Sequence, residues 1–281
     1  MNRSHYPDIR RLWSFDGTAE AFLRKRFGDA VCNELVAREL SAIETAGCAV
    51  DLVATLVIRG ALGISYRYAV GMGGLAGSSV AYRLRLSCVD PVKFGVCTPL
   101  RTPLLLHVSP DGVDEVVDAL KGRLGDKCVA LRPGTSPRMP HELYLADTSI
   151  RDLVPCDWGR DRTLIIPGPL RSGGHGMLRI DLMPSKLVAA LEQQAAAVYD
   201  GKRFFKALDD IPDNDSATFD YLNSPEGKGM LNEYAPFASD DTPVNSFEDL
   251  MGCVSNCERM TAHAASIARQ LWCLAYLKAH Y

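Results

Sequence analysis

The chain has no apolar run of eighteen or more residues, no Cys-x-x-Cys pair, no internal repeat and no low-complexity tract. The first absence argues against a membrane-spanning helix, and no charged start followed by an apolar segment suggests a secretory leader. A cytoplasmic protein with no membrane partner is expected. Without a Cys-x-x-Cys pair, the nine cysteines are scattered singly, an odd number that fits buried reduced thiols better than a disulfide framework. Cys253 and Cys257 stand one helical turn apart, but no evident His or Cys partner completes a zinc site. A large excess of charge is also missing. The formal net charge of −3 argues against coating nucleic acid by bulk electrostatics.

What the chain does contain is ordinary for a globular protein: 281 residues, 47% hydrophobic and 23% charged, enough for one or two domains with a real core. Its charge is unevenly spread. Residues 61–200 hold 16 Lys and Arg against 14 Asp and Glu, whereas residues 201–281 hold 7 against 12. Any phosphate-binding surface is therefore expected in the middle segment. Arg83, Arg85, Arg132, Arg138, Arg160, Arg162 and Arg171 lie there as candidate contacts, with solvated surface charge as the alternative for each.

The most informative stretch runs from Gly71 to Tyr82, Gly-Met-Gly-Gly-Leu-Ala-Gly-Ser-Ser-Val-Ala-Tyr. Its glycines let backbone N–H groups converge on one anion, and Gly77-Ser78 would stand at the positive end of the following helix. Gly71, Gly73, Gly77 and Ser78 are thus candidate phosphate-binding positions, with a packed glycine turn as the alternative. The spacing is not a Walker loop, since no Lys-Ser or Lys-Thr closes it. No clear strand feeds it, as a dinucleotide fingerprint requires.

Apolar residues at helical spacing between Ala19 and Gly60 predict two or three helices before this loop. A helix over Ser78–Leu86 follows, then a buried strand over Pro103–Val108. Ser109-Pro110-Asp111-Gly112 makes a turn, and a helix over Val113–Leu124 leads to a short strand over Cys128–Leu131, completing a strand-turn-helix-strand unit. Between 133 and 176, Pro and Gly are frequent and short strands are expected at Glu142–Leu145 and Thr163–Ile166. Met177–Met183 alternates as a strand, and Pro184 starts a helix that reaches Tyr199. Beyond Asp200 the chain is helix and loop. The expected fold is α+β, with a helical lead-in over 1–62, a core over 63–200 and a helical segment over 201–281.

The run Gly71, Gly73, Ala76, Gly77, Ser78, Val80, Ala81, Tyr82, Asp90 and Pro91 resembles the start of the palm in the alpha subunit of bacterial DNA polymerase III, the C-family polymerases. Ile211-Pro212, Asp215, Phe219-Asp220 and Leu222 are similar to a second segment of that family. Ser246-Phe247-Glu248-Asp249-Leu250 is similar to a third. The likeness spans roughly residues 35 to 250 and implies a nucleotidyltransferase-like palm with a mixed sheet, followed by the beginning of the fingers.

Such a palm is implied to hold two divalent cations, Mg²⁺ if the chain is active, on three carboxylates. Asp111 matches the first and Asp181 the third, as catalytic and metal-binding remnants, while the second falls on Val113 beside Asp114. The triphosphate-contacting arginine falls at Met72, which offers no positive charge and no donor. His141 lies where the family has a Lys-His pair near the nucleotide. Arg83 and Arg85 are candidate DNA contacts.

Scaffold positions persist where catalytic ones have changed. The resemblance therefore implies a degenerate polymerase core acting in DNA replication or repair as a regulatory or binding module. Its partners would be DNA, a replicative polymerase or another replisome protein, and little or no synthesis would remain. The alternatives are an active minimal nucleotidyltransferase using Asp111, Asp114 or Glu115, and Asp181, or a structural protein-binding module that binds neither nucleotide nor DNA.

Overall fold

The computed structural model describes residues 18–28, 34–49, 52, 53, 55, 56, 59, 68–100, 104–112, 115, 118, 129–136, 139–145, 163–167, 177–199, 204–235, 242–255 and 261–281, with the strands between 129 and 181 described by their backbone. Val113, Asp114, Arg138, Arg160, Arg162, Arg171 and Cys257 lie outside the described residues.

Among the described residues, α1 (Ala19–Phe27) and α2 (Glu34–Ala46) precede the glycine loop, and Leu52, Val53, Thr55, Leu56 and Arg59 before it are helical as well. In α2, Val36, Leu40 and Ile43 recur at i, i+4 and i+7, so one stripe is apolar and buried. Gly47, at φ 63°, ends the helix. Its N–H donates to Glu44 O while Cys48 N–H donates to Ile43 O, the paired bonds of a Schellman stop.

Six strands follow: β1 (Ala69–Met72), β2 (Leu104–Val108), β3 (Val129–Ser136), β4 (Met139–Leu145), β5 (Thr163–Pro167) and β6 (Met177–Pro184). They form one mixed sheet in the order β1-β2-β6-β5-β4-β3. β2 runs antiparallel to β1 and parallel to β6, with Leu105 opposite Asp181 and Val108 opposite Pro184. The chain is α+β. Two local expectations are corrected by this topology. β1 does feed the glycine loop, and β3, which the pattern joins to β2 through one helix, lies at the opposite edge of the sheet.

Further helices among the described residues are α3 (Ser79–Arg83), directly after the loop, and then α4 (Lys186–Val198), α5 (Phe204–Asp209), α6 (Ser216–Asn223), α7 (Pro225–Tyr234), α8 (Phe247–Val254) and α9 (Thr261–His280), with Gly112, Glu115 and Asp118 also helical after β2. α3 is shorter than the expected Ser78–Leu86 because Arg85 adopts φ 60°. Arg85 N–H donates to Tyr82 O and Leu86 N–H to Ala81 O, so an arginine occupies the left-handed stop position usually given to glycine.

Alternation along β1 and β2 divides the core. Ala69, Leu104, Leu106 and Val108 pack on the side of α1 and α2, whereas Val70, Met72 and Leu105 pack on the side of α4 and α9. Helices therefore cover both faces of this part of the sheet. α9 is the keystone of the second layer: Ala268, Leu271, Trp272, Cys273, Leu274, Ala275 and Leu277 are all buried there. Full burial of one large apolar side chain stabilises by roughly 1.5–3 kcal/mol, so these side chains tie α4, α6 and α8 to the sheet.

Candidate functional site

The glycine loop leaves β1, turns through residues 73–77 and enters α3. Much of its backbone is bonded within the fold. Leu75 N–H donates to Met72 O, Ala76 N–H to Gly73 O and Ser78 N–H to Leu75 O, while Gly77 O accepts from Thr98 N–H. Met72, Leu75 and Ala76 are completely buried, leaving Gly73 and Gly74 as the accessible part of the turn.

Packing accounts for two of the glycines. A Cβ on Gly77 would stand 1.8 Å from Thr98 Oγ1, and one on Gly71 would stand 2.4 Å from Leu86 O. Neither position has room for a side chain. Gly73 serves differently: its φ of +56° is the left-handed conformation the turn requires, with nothing within 4 Å of the missing Cβ.

Ser78 is fully buried and caps α3, its Oγ accepting from Ala81 N–H at 2.9 Å. The same hydroxyl donates to Glu39 Oε1, and Glu39 Oε2 accepts from Val80 N–H at 3.2 Å, with a further contribution from the Ser79 backbone. Glu39 comes from α2, 39 and 41 positions before Ser78 and Val80 in sequence and against α3 in space. An anion therefore already occupies the start of α3, and it is the chain's own carboxylate. Burial pushes the Glu39 carboxyl above its ordinary range, and the hydrogen bonds from Ser78, Val80 and Ser79 pull the other way. The one sequence signal for Glu39 is its place beside the buried stripe of Val36, Leu40 and Ile43, where a carboxylate gains from an internal partner.

The carboxylates expected to hold metal are not neighbours in the sheet. In β6, Asp181 stands between Leu105 of β2 and Thr163 of β5, so no acidic residue faces it across either strand pair. Asp111 lies three residues beyond the end of β2, in the turn that enters a helix at Gly112, rather than on a strand. Since Val108 pairs with Pro184, the level of Asp181 is about 10 Å back along the strand from β2's end. Among the described residues, no group of three or more His, Cys, Asp or Glu side chains is arranged to hold a metal ion. His141 falls in β4, paired with Pro133.

Arg83 is exposed on α3, and Arg85 Nε lies 3.8 Å from Asp209 Oδ2. Burial raises the Asp209 carboxyl, opposed by Arg85, Arg59 and Arg269. Arg269, itself buried on α9, donates to Asp213 Oδ1 at 2.7 Å, to Leu208 O at 3.0 Å and to Ile211 O at 2.9 Å. Lys93 also pairs with Asp213, and Trp272 Nε1 donates to Pro212 O at 2.6 Å. The end of α5 and the segment after it are thus fastened to α9 through the carbonyls of Leu208, Ile211 and Pro212 and the Asp213 carboxylate.

The other segments singled out in the sequence carry structural work of the same kind. Asp215 caps α6 by accepting from Thr218 N–H, and Ser246 caps α8 by accepting from Asp249 N–H. Asp249 Oδ2 returns to accept from Asn245 N–H, closing a reciprocal cap around the N-terminus of α8. Asp90 Oδ1 accepts from Val92 N–H ahead of the turn at Pro91, and Phe247 packs on Phe94 at 4.4 Å. No protein-family model and no curated protein matches the chain.

Behind the loop, His107 on β2 faces His263 on α9, with ring centroids 6.0 Å apart and nearly perpendicular planes. His107 Nε2 is buried and makes no hydrogen bond among the described residues. Burial, then the neighbouring His263, lowers the His107 pKa from 6.5 to about 4, and burial lowers that of His263. Both imidazoles are neutral at physiological pH. Sequence reading missed this pair, whose members are 156 positions apart by their numbering.

Proposed function

We propose that the chain is a degenerate, polymerase-palm-like module that acts in DNA replication or repair through binding or regulation, with little or no nucleotidyl transfer. The observation that carries the non-catalytic half of this reading is the Glu39 carboxylate on Ser78 and Val80. It takes the donors that a phosphate would need, and it would repel a triphosphate at the same place. The three motif segments support the likeness to a palm in sequence order alone, since each has a capping, turn or packing role that stands without nucleotide.

Primer extension and mobility shift test the two halves separately. No extension of a radiolabelled primer is expected with Mg²⁺ or Mn²⁺, and extension abolished by Asp181→Ala would overturn the non-catalytic half. A shift of primed DNA that weakens steeply with salt is expected if phosphates are contacted through Arg83 and its surroundings. Absence of any shift at low salt would refute DNA binding and leave a protein partner.

A further inference from the structure

Away from the loop, the helical layer carries a cleft of 470 Å³ formed by Tyr221 of α6, one face of α7 and Lys278 in the last turn of α9. Glu226, Gly229 and Glu233 follow one another at i, i+3 and i+7, so two carboxylates flank a glycine along a single helical stripe. Tyr221 and Tyr234 are packed against the hydrophobic layer beneath, which fixes their rings at the cleft.

Gly229 is what the fold does not otherwise explain. A Cβ on nearby Gly227 would stand 2.0 Å from Tyr221 O, so close packing of α7 on α6 demands that glycine. At Gly229 nothing lies within 4 Å of the Cβ position. A glycine inside a helix costs about 1 kcal/mol relative to alanine. Here its effect is to leave the middle of the cleft open.

The chemistry of the lining selects for charge. Two glutamates stand against one lysine, and neither Glu226 nor Lys278 forms an ion pair among the described residues. Burial and then Glu226 hold the Tyr221 phenol above its ordinary pKa, and burial followed by Glu233 does the same for Tyr234. Both rings therefore remain neutral, with electron-rich faces suited to a cation. Lys278 cancels one of the two negative charges. The remainder matches a single positive charge.

We propose that this cleft binds an organic monocation, a guanidinium or alkylammonium group, held beside the Tyr221 and Tyr234 rings with Glu226 and Glu233 as its counter-charges. The volume lies in the range of small-ligand pockets, roughly 300–1,000 Å³, and exceeds what one such group fills, so the cation is the head of a larger molecule or a side chain.

The test is a titration of the full-length protein, followed by the amide resonance of Gly229, with N-acetyl-argininamide, N-acetyl-lysinamide and the neutral N-acetyl-citrullinamide. Saturable shifts are expected with one or both cations and not with the citrulline compound. Glu226→Gln combined with Glu233→Gln should weaken binding by at least about tenfold, the scale of losing a charge-assisted contact. Both glutamates are exposed, so an unchanged circular dichroism spectrum and melting temperature are expected for that variant. Lys278→Gln should tighten binding. A decapeptide carrying the same residue identifies the source: much tighter binding than the free derivative marks a protein segment, and equal binding marks a small molecule. Equal binding of the citrulline compound, unchanged affinity in the double variant, or no shift at Gly229 would overturn the proposal.

Discussion

Replacing Glu39 by alanine removes the acceptor for two buried donors, the Ser78 hydroxyl and the Val80 N–H, on residues that are themselves 0% exposed. Each buried donor left without a partner costs about 1–3 kcal/mol. Part of this is offset, because burial already disfavours the Glu39 carboxylate and its removal recovers that desolvation. The net loss of stability is therefore expected to be about 2–3 kcal/mol. Glu39→Gln keeps one acceptor oxygen and the same shape, so its loss should be about half as large. Urea denaturation followed by tryptophan fluorescence measures both, with Trp272 buried at the centre of the second layer as reporter. Equal stability of wild type and Glu39→Ala would refute the reasoning. It would mean that Ser78 and Val80 are satisfied without the carboxylate.

Three further outcomes follow from the packing and the buried charges. Gly77→Ala forces a Cβ to within 1.8 Å of Thr98 Oγ1 and 2.9 Å of Thr98 N, so it should destabilise by about 1–3 kcal/mol, and Thr98→Ala should restore only part because the backbone clash remains. Arg269→Met leaves two carbonyls beside α9 without their donor and Asp213 with Lys93 as its remaining partner; a loss of about 2–4 kcal/mol is expected in the same urea assay, and a loss no greater than that of an exposed arginine would contradict the clamp. His107 binds its proton less tightly when folded than when unfolded, so its share of stability is complete above pH 6.5 and is lost as pH falls from 6.5 towards 4. That share is about 3 kcal/mol, and His107→Leu should flatten the acid limb of the stability profile measured by thermal melting; an unchanged limb would contradict the assignment.

The elements that the chain writes locally were legible in its sequence. The buried stripe of α2, the alternation of β2 and β6 and the start of α4 near Pro184 all depend on residues within a few positions of one another. Strand order was not legible. Nothing in Leu104–Val108 distinguishes β6 from β3 as its neighbour, since each of those strands mixes apolar with polar residues and the choice is made by distant packing. β1 was missed because its four residues, Ala-Val-Gly-Met, are too few to show a period and run into the glycines.

The candidate site divides in the same way. The glycine turn and its helix cap at Ser78 were visible in sequence, but the occupant of that cap was not. Glu39 reaches it only because α2 packs on α3, and no motif spacing encodes that approach. The positions that led to the expectation of a polymerase palm were equally visible. Their hydrogen bonds give them a local explanation: Asp90, Asp215 and Ser246 are turn and cap residues.

The central claim is that the chain's own carboxylate fills the place a nucleotide phosphate would take. Titrating dATP with Mg²⁺ into wild-type protein, while following the amide resonances of the accessible Gly73 and Gly74, tests it most directly. No saturable shift is predicted at millimolar nucleotide. Saturable shifts at those glycines and at Ser78 in the micromolar range would contradict the account.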